Sequence, residues 1–215
     1  MHSLDKGFIL ISINKPQFKG KMKVLVACEY SGVVRDAFIR GGHEAMSCDI
    51  IPTDVEGWHY QGSVLDVLDQ GWDLMIAHPP CTYISNAGAR HLYPKKILNK
   101  DRYYRGMEAV EFFMALYNAN IPRIAVENPI PSKVFGLPKY SQTIQPYEYG
   151  HPFQKRTCLW LKNLPLLKPT NIVKKGQSTK VVGNWFNSGG KDRQKNRAKT
   201  FQGIADAMAN QWGNL

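Results

Sequence analysis

Residues 24–41, VLVACEYSGVVRDAFIRG, contain the clearest structural signal in the chain. Val24 to Cys28 form a continuous apolar run, which is typical of a strand that is covered on both faces of a sheet. The next four residues favour a turn. Val33 to Arg40 then have helical spacing, and the pair Gly41-Gly42 ends the helix. This stretch therefore predicts a strand, a turn and a helix in succession.

The same alternation continues along the chain. The apolar pattern predicts further strands at 44–48, 74–77, 122–126 and 157–161, and helices at 103–117 and 200–212. Buried strands that alternate with helices indicate an α/β fold with a mainly parallel sheet and helices on both faces. Met22 stands directly before the first strand, so we expect one domain over 22–215 and an extension outside the core over 1–21.

Composition and charge narrow the class of protein. A chain of 215 residues with 43% hydrophobic and 21% charged residues suits one globular domain and excludes wholesale disorder. The 28 basic and 17 acidic residues leave a net charge of +11, for which nucleic acid is the first candidate partner. Residues 168–199 are a basic segment with interspersed aromatic residues and glycines, which suits a loop along a phosphate backbone. A purely solubilising loop is the alternative.

The cysteines and the apolar runs indicate a cytoplasmic protein that does not enter a membrane. The four cysteines are widely spaced and form no Cys-x-x-Cys pair, which argues against a structural zinc site and a disulfide scaffold. No apolar run approaches the roughly 20 residues that span a bilayer. The first residues lack the pattern of a signal peptide.

Polar residues follow the predicted strands, where ligands bind in parallel sheets. Asp49 can accept hydrogen bonds from both hydroxyls of a ribose, and Asp66 from the amino group of an adenine. Either acid can equally be merely solvated. Glu127 follows a buried strand among apolar neighbours, so we expect burial to raise its pKa. Such a carboxyl group can donate a proton to a ring nitrogen near neutral pH.

Cys81 ends the segment Asp73-Leu74-Met75-Ile76-Ala77-His78-Pro79-Pro80-Cys81. The two prolines end the strand and present the thiol at the edge of the sheet. The other three cysteines fit the usual role of a small buried hydrophobe. A thiol with a pKa of about 8.5 needs a nearby cation to act as a nucleophile, and Arg156 is the candidate.

In chain order, these segments resemble motifs of the DNA cytosine-5 methyltransferases. Pro80-Cys81-Thr82 with Ser85 is similar to the Pro-Cys-Gln nucleophile motif of that family. Glu127-Asn128-Pro129 is similar to its Glu-Asn-Val motif, and Gln154-Lys155-Arg156 to its Gln-x-Arg-x-Arg motif. The resemblance covers residues 22 to about 162. The short interval between Leu161 and Gly183 replaces the family's target-recognition domain, as in small methyltransferase-like proteins of phages.

The resemblance implies a Rossmann-like methyltransferase fold, S-adenosylmethionine as cofactor, no metal, and DNA as substrate. Cys81 would add to carbon 6 of cytosine while Glu127 protonates or hydrogen-bonds ring nitrogen 3, and Arg156 with Gln154 would hold the base and the thiolate. The residues implied in cofactor binding are Cys28, Glu29, Ser31, Gly32, Asp49, Asp66 and Pro79. Those implied in substrate binding are Pro80, Ser85, Asn128, Lys191, Arg193 and Arg197.

Other functions remain open at this stage. The segment Ala27 to Gly32 replaces the family's Phe-x-Gly-x-Gly cofactor loop, which favours a catalytically inactive fold that only binds DNA. His78-Pro79-Pro80 is similar to the Pro-Pro-aromatic motif of amino-methyltransferases, although Cys81 stands where those enzymes have an aromatic residue. RNA or a free nucleotide as substrate is a further alternative. The sequence does not indicate a target site or an oligomeric state.

Overall fold

The computed structural model describes residues 20–89, 91–176 and 193–215, apart from the side chains of Arg193 and Gln194. The predicted N-terminal extension, except for its last two residues, lies outside the described residues. So do residues 177–192 of the basic segment, including Lys191.

Within the described residues, seven strands form one sheet. In chain order they are β1 (Lys23–Ala27), β2 (Glu44–Asp49), β3 (His59–Gln61), β4 (Leu74–Ala77), β5 (Arg123–Pro129), β6 (Gln142–Ile144) and β7 (Thr157–Lys162). Their spatial order is β3-β2-β1-β4-β5-β7-β6. β7 runs antiparallel to both of its neighbours, whereas the other pairs are parallel. The predicted α/β fold with a mainly parallel sheet is therefore confirmed.

Helices cover both faces of this sheet. Those in the described residues are α1 (Val33–Arg40), α2 (Asn86–Ala89), α3 (Lys100–Tyr117), α4 (Arg193–Ala198) and α5 (Gln202–Trp212). α1 packs against α5 and against β1 and β2, while α3 packs against β5. No helix in the described part of the chain has the length and apolarity that a membrane span requires.

The buried residues of β1 show how one strand serves two cores. Val24 and Val26 point into the core beneath α1 and α5, and Leu25 and Ala27 point into the core beneath α3. Successive side chains of a strand alternate between faces, so a strand covered on both faces has to be apolar throughout. This is the physical reason for the uninterrupted run Val24 to Cys28. We refer to the two sides as the α5 face and the α3 face.

The order of the strands places a crevice at one edge of the sheet. From β1 the chain moves outward to β2 and β3, then returns to β4 on the other side of β1. β1 and β4 are paired from Val24 and Leu74 to Ala27 and Ala77, so their carboxyl ends lie side by side. Ligands bind in such sheets at the point where the strand order reverses. The candidate site is therefore sought at this edge.

Candidate active site

A histidine and a glutamate from adjacent strand ends form a close pair at this edge. His78 follows β4 and Glu127 lies in the last half of β5, and His78 Nδ1 is 2.9 Å from Glu127 Oε2. The side chains are 9% and 17% exposed. His78 Nε2 is buried and has no hydrogen-bond partner among the described residues. His78 Nε2 is therefore available for a hydrogen bond with a ligand.

The carboxyl group of Glu127 is more acidic than the sequence predicts. Burial by itself raises its pKa, but the hydrogen bond and charge of His78, together with the charge of Lys155, outweigh burial and lower the pKa below its usual value. The expectation of a raised pKa is therefore wrong. The expectation took into account only the apolar neighbours of Glu127 along the chain. Strand pairing places His78 next to Glu127, and this contact is not visible in the local sequence.

The thiol of Cys81 lies in the electrostatic field of this carboxylate. Cys81 is half-buried, and burial together with the charge of Glu127 raises its pKa. The charges of Lys155 and Arg197 act in the opposite direction. The structure therefore brings the predicted nucleophile, the predicted acid and two cations into one electrostatic neighbourhood.

Within the segment Gln154-Lys155-Arg156, the charge that acts on Cys81 and Glu127 is that of Lys155 and not that of the predicted cation Arg156. Arg156 is exposed, and its charge acts on the thiol of Cys158, which belongs to the core of the α3 face. Lys155, one residue earlier, is on the side of Glu127 and donates from Nζ to the carbonyl oxygen of Arg197 at 2.9 Å. Gln154 donates from Nε2 to the carbonyl oxygen of Gly176 at 2.6 Å.

The loops that follow β4 and β5 are fastened to one another. Asn128 Nδ2 donates to the carbonyl oxygen of Pro79 at 2.9 Å, and Asn128 Oδ1 is buried without a hydrogen-bond partner in the described residues. Ser85 is buried, donates its backbone N–H to the carbonyl oxygen of Cys81, and forms a bridge with Pro131. These contacts hold the backbone on both sides of Cys81. Pro80 is exposed beside them.

The loop after β1 is shaped by an internal carboxylate. Glu29 accepts hydrogen bonds from the backbone N–H groups of Val34 at 2.7 Å and Arg35 at 3.2 Å, and from the hydroxyl of Ser31. The N-cap residue Gly32 has no side chain and adopts a left-handed φ of 72°. Glu29 therefore satisfies the first turn of α1 in its place. The carboxylate of Glu29 is thus engaged inside the predicted cofactor loop.

Cys28 connects β1 to this loop with a left-handed backbone. Its φ is 57°, which is rare for a residue other than glycine and marks a local strain at the switch point of the sheet. Burial and the nearby charge of Asp49 raise the pKa of its thiol. Cys28 is thus kept as a neutral thiol that shapes the backbone.

Asp49 and Asp66 lie on the outer side of the same edge. Asp49 ends β2, accepts a hydrogen bond from the backbone N–H of Ile51 at 3.2 Å, and has a pKa that burial raises. Asp66 is exposed and accepts a hydrogen bond from the Tyr60 hydroxyl at 3.2 Å. Burial, together with the charges of Asp49 and Asp66, raises the pKa of Cys48 to about 11, so both acids lie close to the end of β2.

The short basic helix α4 packs against the site. In α4, Lys195 forms an ion pair with Asp54 and accepts, through its carbonyl oxygen, a hydrogen bond from the Tyr30 hydroxyl. Arg197 at its other end is joined to Lys155, as described above. α4 therefore extends from the loop after β1 to the start of β7. The side chain of Arg193 lies outside the described part of the structure.

Beneath this helix little space remains around the carboxylate. Glu127, Lys155, Thr157 and Phe201 line a cavity of about 10 Å³, which is enough for about one water molecule. A base can therefore enter this cavity only if lining residues such as Phe201 and Ile204 move. Among the described residues, no group of three or more His, Cys, Asp or Glu side chains is arranged to hold a metal ion.

The residues that the sequence did not assign to the site are His78 and Lys155. His78 was visible as a histidine directly after a buried strand, which is the signal that could have identified it. Lys155 had no such signal, because the phase of the strand pleat decides which of two neighbouring cations faces Glu127. No protein-family model matches the chain, and a search of curated proteins finds no similar sequence.

Proposed function

We propose that this chain is a methyltransferase that acts on carbon 5 of cytosine in DNA through a covalent bond to Cys81. The observation that carries the proposal is that the loops after β4 and β5 are joined by the Asn128–Pro79 hydrogen bond, which places Cys81 within the electrostatic field of Glu127, Lys155 and Arg197. A thiol beside a carboxyl group that can reach a ring nitrogen is the pair that addition to a pyrimidine requires.

The topology supports this proposal. The order β3-β2-β1-β4-β5 is that of the doubly wound nucleotide-binding folds. The reversed strand β7 lies between β5 and β6. A reversed strand explains why Lys155, at the start of β7, lies near the end of β5.

The donor groups at the ends of β1 and β2 fit that cofactor. Asp49 and Asp66 offer carboxylate oxygens on the outer half of the edge, which suit the hydroxyl and amino groups of an adenosine. S-adenosylmethionine, when bound, supplies an electrophilic methyl group. Glu29 shapes the adjoining loop through its backbone contacts, and Pro79 lies between this half and Cys81.

The residues of the chain then account for the remaining steps. The thiolate of Cys81 forms a bond to carbon 6, and the electron pair of the ring double bond shifts towards carbon 5 as ring nitrogen 3 accepts the proton held between His78 and Glu127. Once carbon 5 carries the methyl group, its proton leaves to solvent and the proton on ring nitrogen 3 returns to the pair of His78 and Glu127. The returning electron pair breaks the bond between carbon 6 and sulfur and releases Cys81.

The coupling between the thiol and the carboxylate makes activation depend on the substrate. With Glu127 ionised, its charge raises the pKa of Cys81 and protects the thiol. A base that hydrogen-bonds to Glu127 neutralises part of that charge while the positive charges of Lys155 and Arg197 remain. The thiol is therefore expected to ionise most readily when cytosine is in place, after it has been flipped out of a duplex or offered in a single strand.

The test is covalent trapping. An oligonucleotide whose cytosine bears fluorine at carbon 5 lacks the proton that must leave, so the bond between sulfur and carbon 6 persists. We expect a stable adduct with wild-type protein and S-adenosylmethionine, detected by intact mass, and none with Cys81→Ser. Cys48→Ala, which alters a buried thiol in the core of the α3 face, is the matched control and should still be trapped.

Two results would contradict the proposal. Adduct formation that persists in Cys81→Ser would exclude Cys81 as the nucleophile. Absence of any heat of S-adenosylmethionine binding at millimolar concentration, with the wild-type protein folded by circular dichroism, would favour a catalytically inactive DNA-binding fold.

A further inference from the structure

A groove on the α3 face includes Pro80, the residue before the predicted nucleophile, in its wall. It has a volume of about 540 Å³, and its walls include Pro80, Tyr83, Tyr104, Arg105 and Phe112. This volume lies within the range of about 300–1,000 Å³ that ligand pockets occupy. Because Pro80 precedes Cys81 in the chain, the groove begins one residue from the thiol. It is separate from the small cavity around Glu127.

The groove has an aromatic floor held between cations. The guanidinium carbons of Arg102 and Arg105 lie 5.0 and 5.9 Å from the ring centre of Tyr83. Arg105 Nη1 also donates to the Tyr83 hydroxyl at 3.3 Å, and Arg102 Nη2 donates to the carbonyl oxygen of Thr82 at 2.9 Å. Tyr104 is 63% exposed on the same helix. An exposed aromatic ring is the usual platform for stacking a nucleobase, and Tyr104 provides one next to Tyr83.

The segment that leads into the groove is strongly basic. Between residues 91 and 105, the lysines and arginines are Lys95, Lys96, Lys100, Arg102 and Arg105, against the single acid Asp101. Lys95 and Lys96 are exposed and both have a left-handed backbone, with φ of 53° and 66°. Two consecutive residues in that conformation without a glycine carry strain that a merely solvated loop does not need. A phosphate backbone is the ligand that this charge favours.

Acidic groups in the wall add a feature that phosphate alone does not explain. Asp101 and Glu108 line the groove, and Asp101 is paired with Arg105 at 3.1 Å. Carboxylates accept hydrogen bonds from the exocyclic amino groups of bases. Aromatic rings, guanidinium groups and carboxylates together match a complete nucleotide: a base to stack, an edge to hydrogen-bond and a phosphate to neutralise.

From this geometry we propose that the groove binds an unpaired nucleotide of the DNA strand, next to the cytosine that Cys81 attacks. This inference rests on the proposed function for the identity of that neighbour. It assigns the base to Tyr83 and Tyr104, the phosphate to Arg105 and the basic segment before α3, and the amino edge to the two acids. The groove then holds the strand on the α3 face while the target base enters towards Glu127.

The test is the anisotropy of a fluorescent single-stranded DNA oligonucleotide, measured without cofactor so that no chemistry is needed. We expect Tyr104→Ala and Arg105→Ala each to weaken binding by about tenfold, since loss of one stacked base or one phosphate contact has this order of effect. Tyr104→Phe keeps the ring and should bind like wild type. Both positions are on the exposed side of α3, so the variants are expected to fold.

Arg40→Ala is the matched control. Arg40 is 55% exposed and paired with Asp206, compared with 54% for Arg105 paired with Asp101, but it lies on α1 against the opposite core. It should bind within about twofold of wild type. An equal loss with Arg40→Ala, unchanged binding by both groove variants, or no binding by wild type would each overturn the inference.

The outcome separates this inference from the proposed function. If wild type is trapped by the fluorinated substrate while the groove variants bind DNA normally, the groove assignment fails and the methyltransferase proposal stands. If binding depends on Tyr104 and Arg105 but Cys81 is never trapped, the groove assignment stands and the chemistry fails.

Discussion

Two adjacent residues before β7, Lys155 and Arg156, have different surroundings. Lys155 lines the cavity of Glu127, whose residues on α5 belong to the core of the α5 face. The charge of Arg156 acts on Cys158 in the other core. Alternation along an extended chain separates them, although both carry the same charge in the sequence. At the scale of single residues, the cations that oppose the rise in the pKa of Cys81 are therefore Lys155 and, from α4, Arg197.

The alkylation rate of Cys81 measures this difference. Lys155→Met removes a positive charge that lowers the pKa of Cys81, so the thiolate fraction at pH 8 falls and alkylation by iodoacetamide slows by up to about tenfold, the effect of one pKa unit. Arg156→Met is the matched control and should leave the rate unchanged. Peptide mass spectrometry follows Cys81 separately from the other cysteines. Slowing by Arg156→Met alone would return the role to Arg156.

At the scale of elements, α1 depends on a carboxylate outside the helix. Its N-cap residue is Gly32, and Glu29 from the preceding loop accepts the N–H groups of Val34 and Arg35 instead. Inside the helix, the fully buried Arg35 donates to Ser47 Oγ at 3.2 Å and to the carbonyl oxygen of Glu56 at 2.8 Å. The start of α1 thus joins the loop after β1 to the segment after β2, the two parts that form the predicted cofactor side.

Removal of the charge of Glu29 is expected to destabilise the fold. Glu29→Gln keeps the shape but weakens the interaction of a carboxylate with the N-terminus of α1, which lowers the free energy of unfolding by about 1–2 kcal/mol in urea. Glu44→Gln is the control, because Glu44 is exposed and its ion pair, with Lys21 at 3.3 Å, is also exposed. It should change the free energy of unfolding by less than about 0.5 kcal/mol. An unchanged stability of Glu29→Gln with loss of S-adenosylmethionine binding would identify Glu29 as a ligand group instead.

At the scale of the whole molecule, two histidines accept backbone hydrogen bonds from distant segments, His43 from the residue before β1 and His151 from α5. His43 Nδ1 accepts the backbone N–H of Met22 at 3.4 Å, and His151 Nε2 accepts that of Gly203 at 3.0 Å. Burial lowers the pKa of both, and the charge of Asp206 opposes this only partly at His151. A ring nitrogen that accepts a hydrogen bond has to lose that bond when it is protonated.

The folded protein is therefore expected to lose stability in mild acid. In the unfolded chain these histidines take up protons near their ordinary pKa of about 6.5, whereas in the folded chain they take them up only at lower pH. The stabilisation is therefore complete above about pH 6.5 and is lost as the pH falls below it. Urea midpoints between pH 7.5 and 5.5 should decrease. His151→Gln, whose side-chain oxygen can still accept from Gly203, should reduce the slope. His91→Gln on the exposed surface should leave it unchanged.

The local sequence determined the fold class, because a strand that is buried on both faces requires a continuous run of apolar residues. The run Val24 to Cys28 and the helix from Val33 to Arg40 were predicted within a residue, as was the strand Leu74–Ala77. The edge strands His59–Gln61 and Gln142–Ile144 were not predicted, since a strand of three residues is too short to show a periodicity. The direction of β7 also had no local signature.

Only the tertiary structure decided the composition of the site. His78 and Glu127 are 49 residues apart in the chain and meet because β4 and β5 pair in one register. The same pairing lowers the pKa of Glu127, where the sequence predicted a raised one. The alternation of side chains before β7 places Lys155, and not the predicted Arg156, on the side of Glu127. Apolar runs are read from neighbours along the chain. Contacts between polar side chains depend on strand order, register and phase, which distant segments settle together.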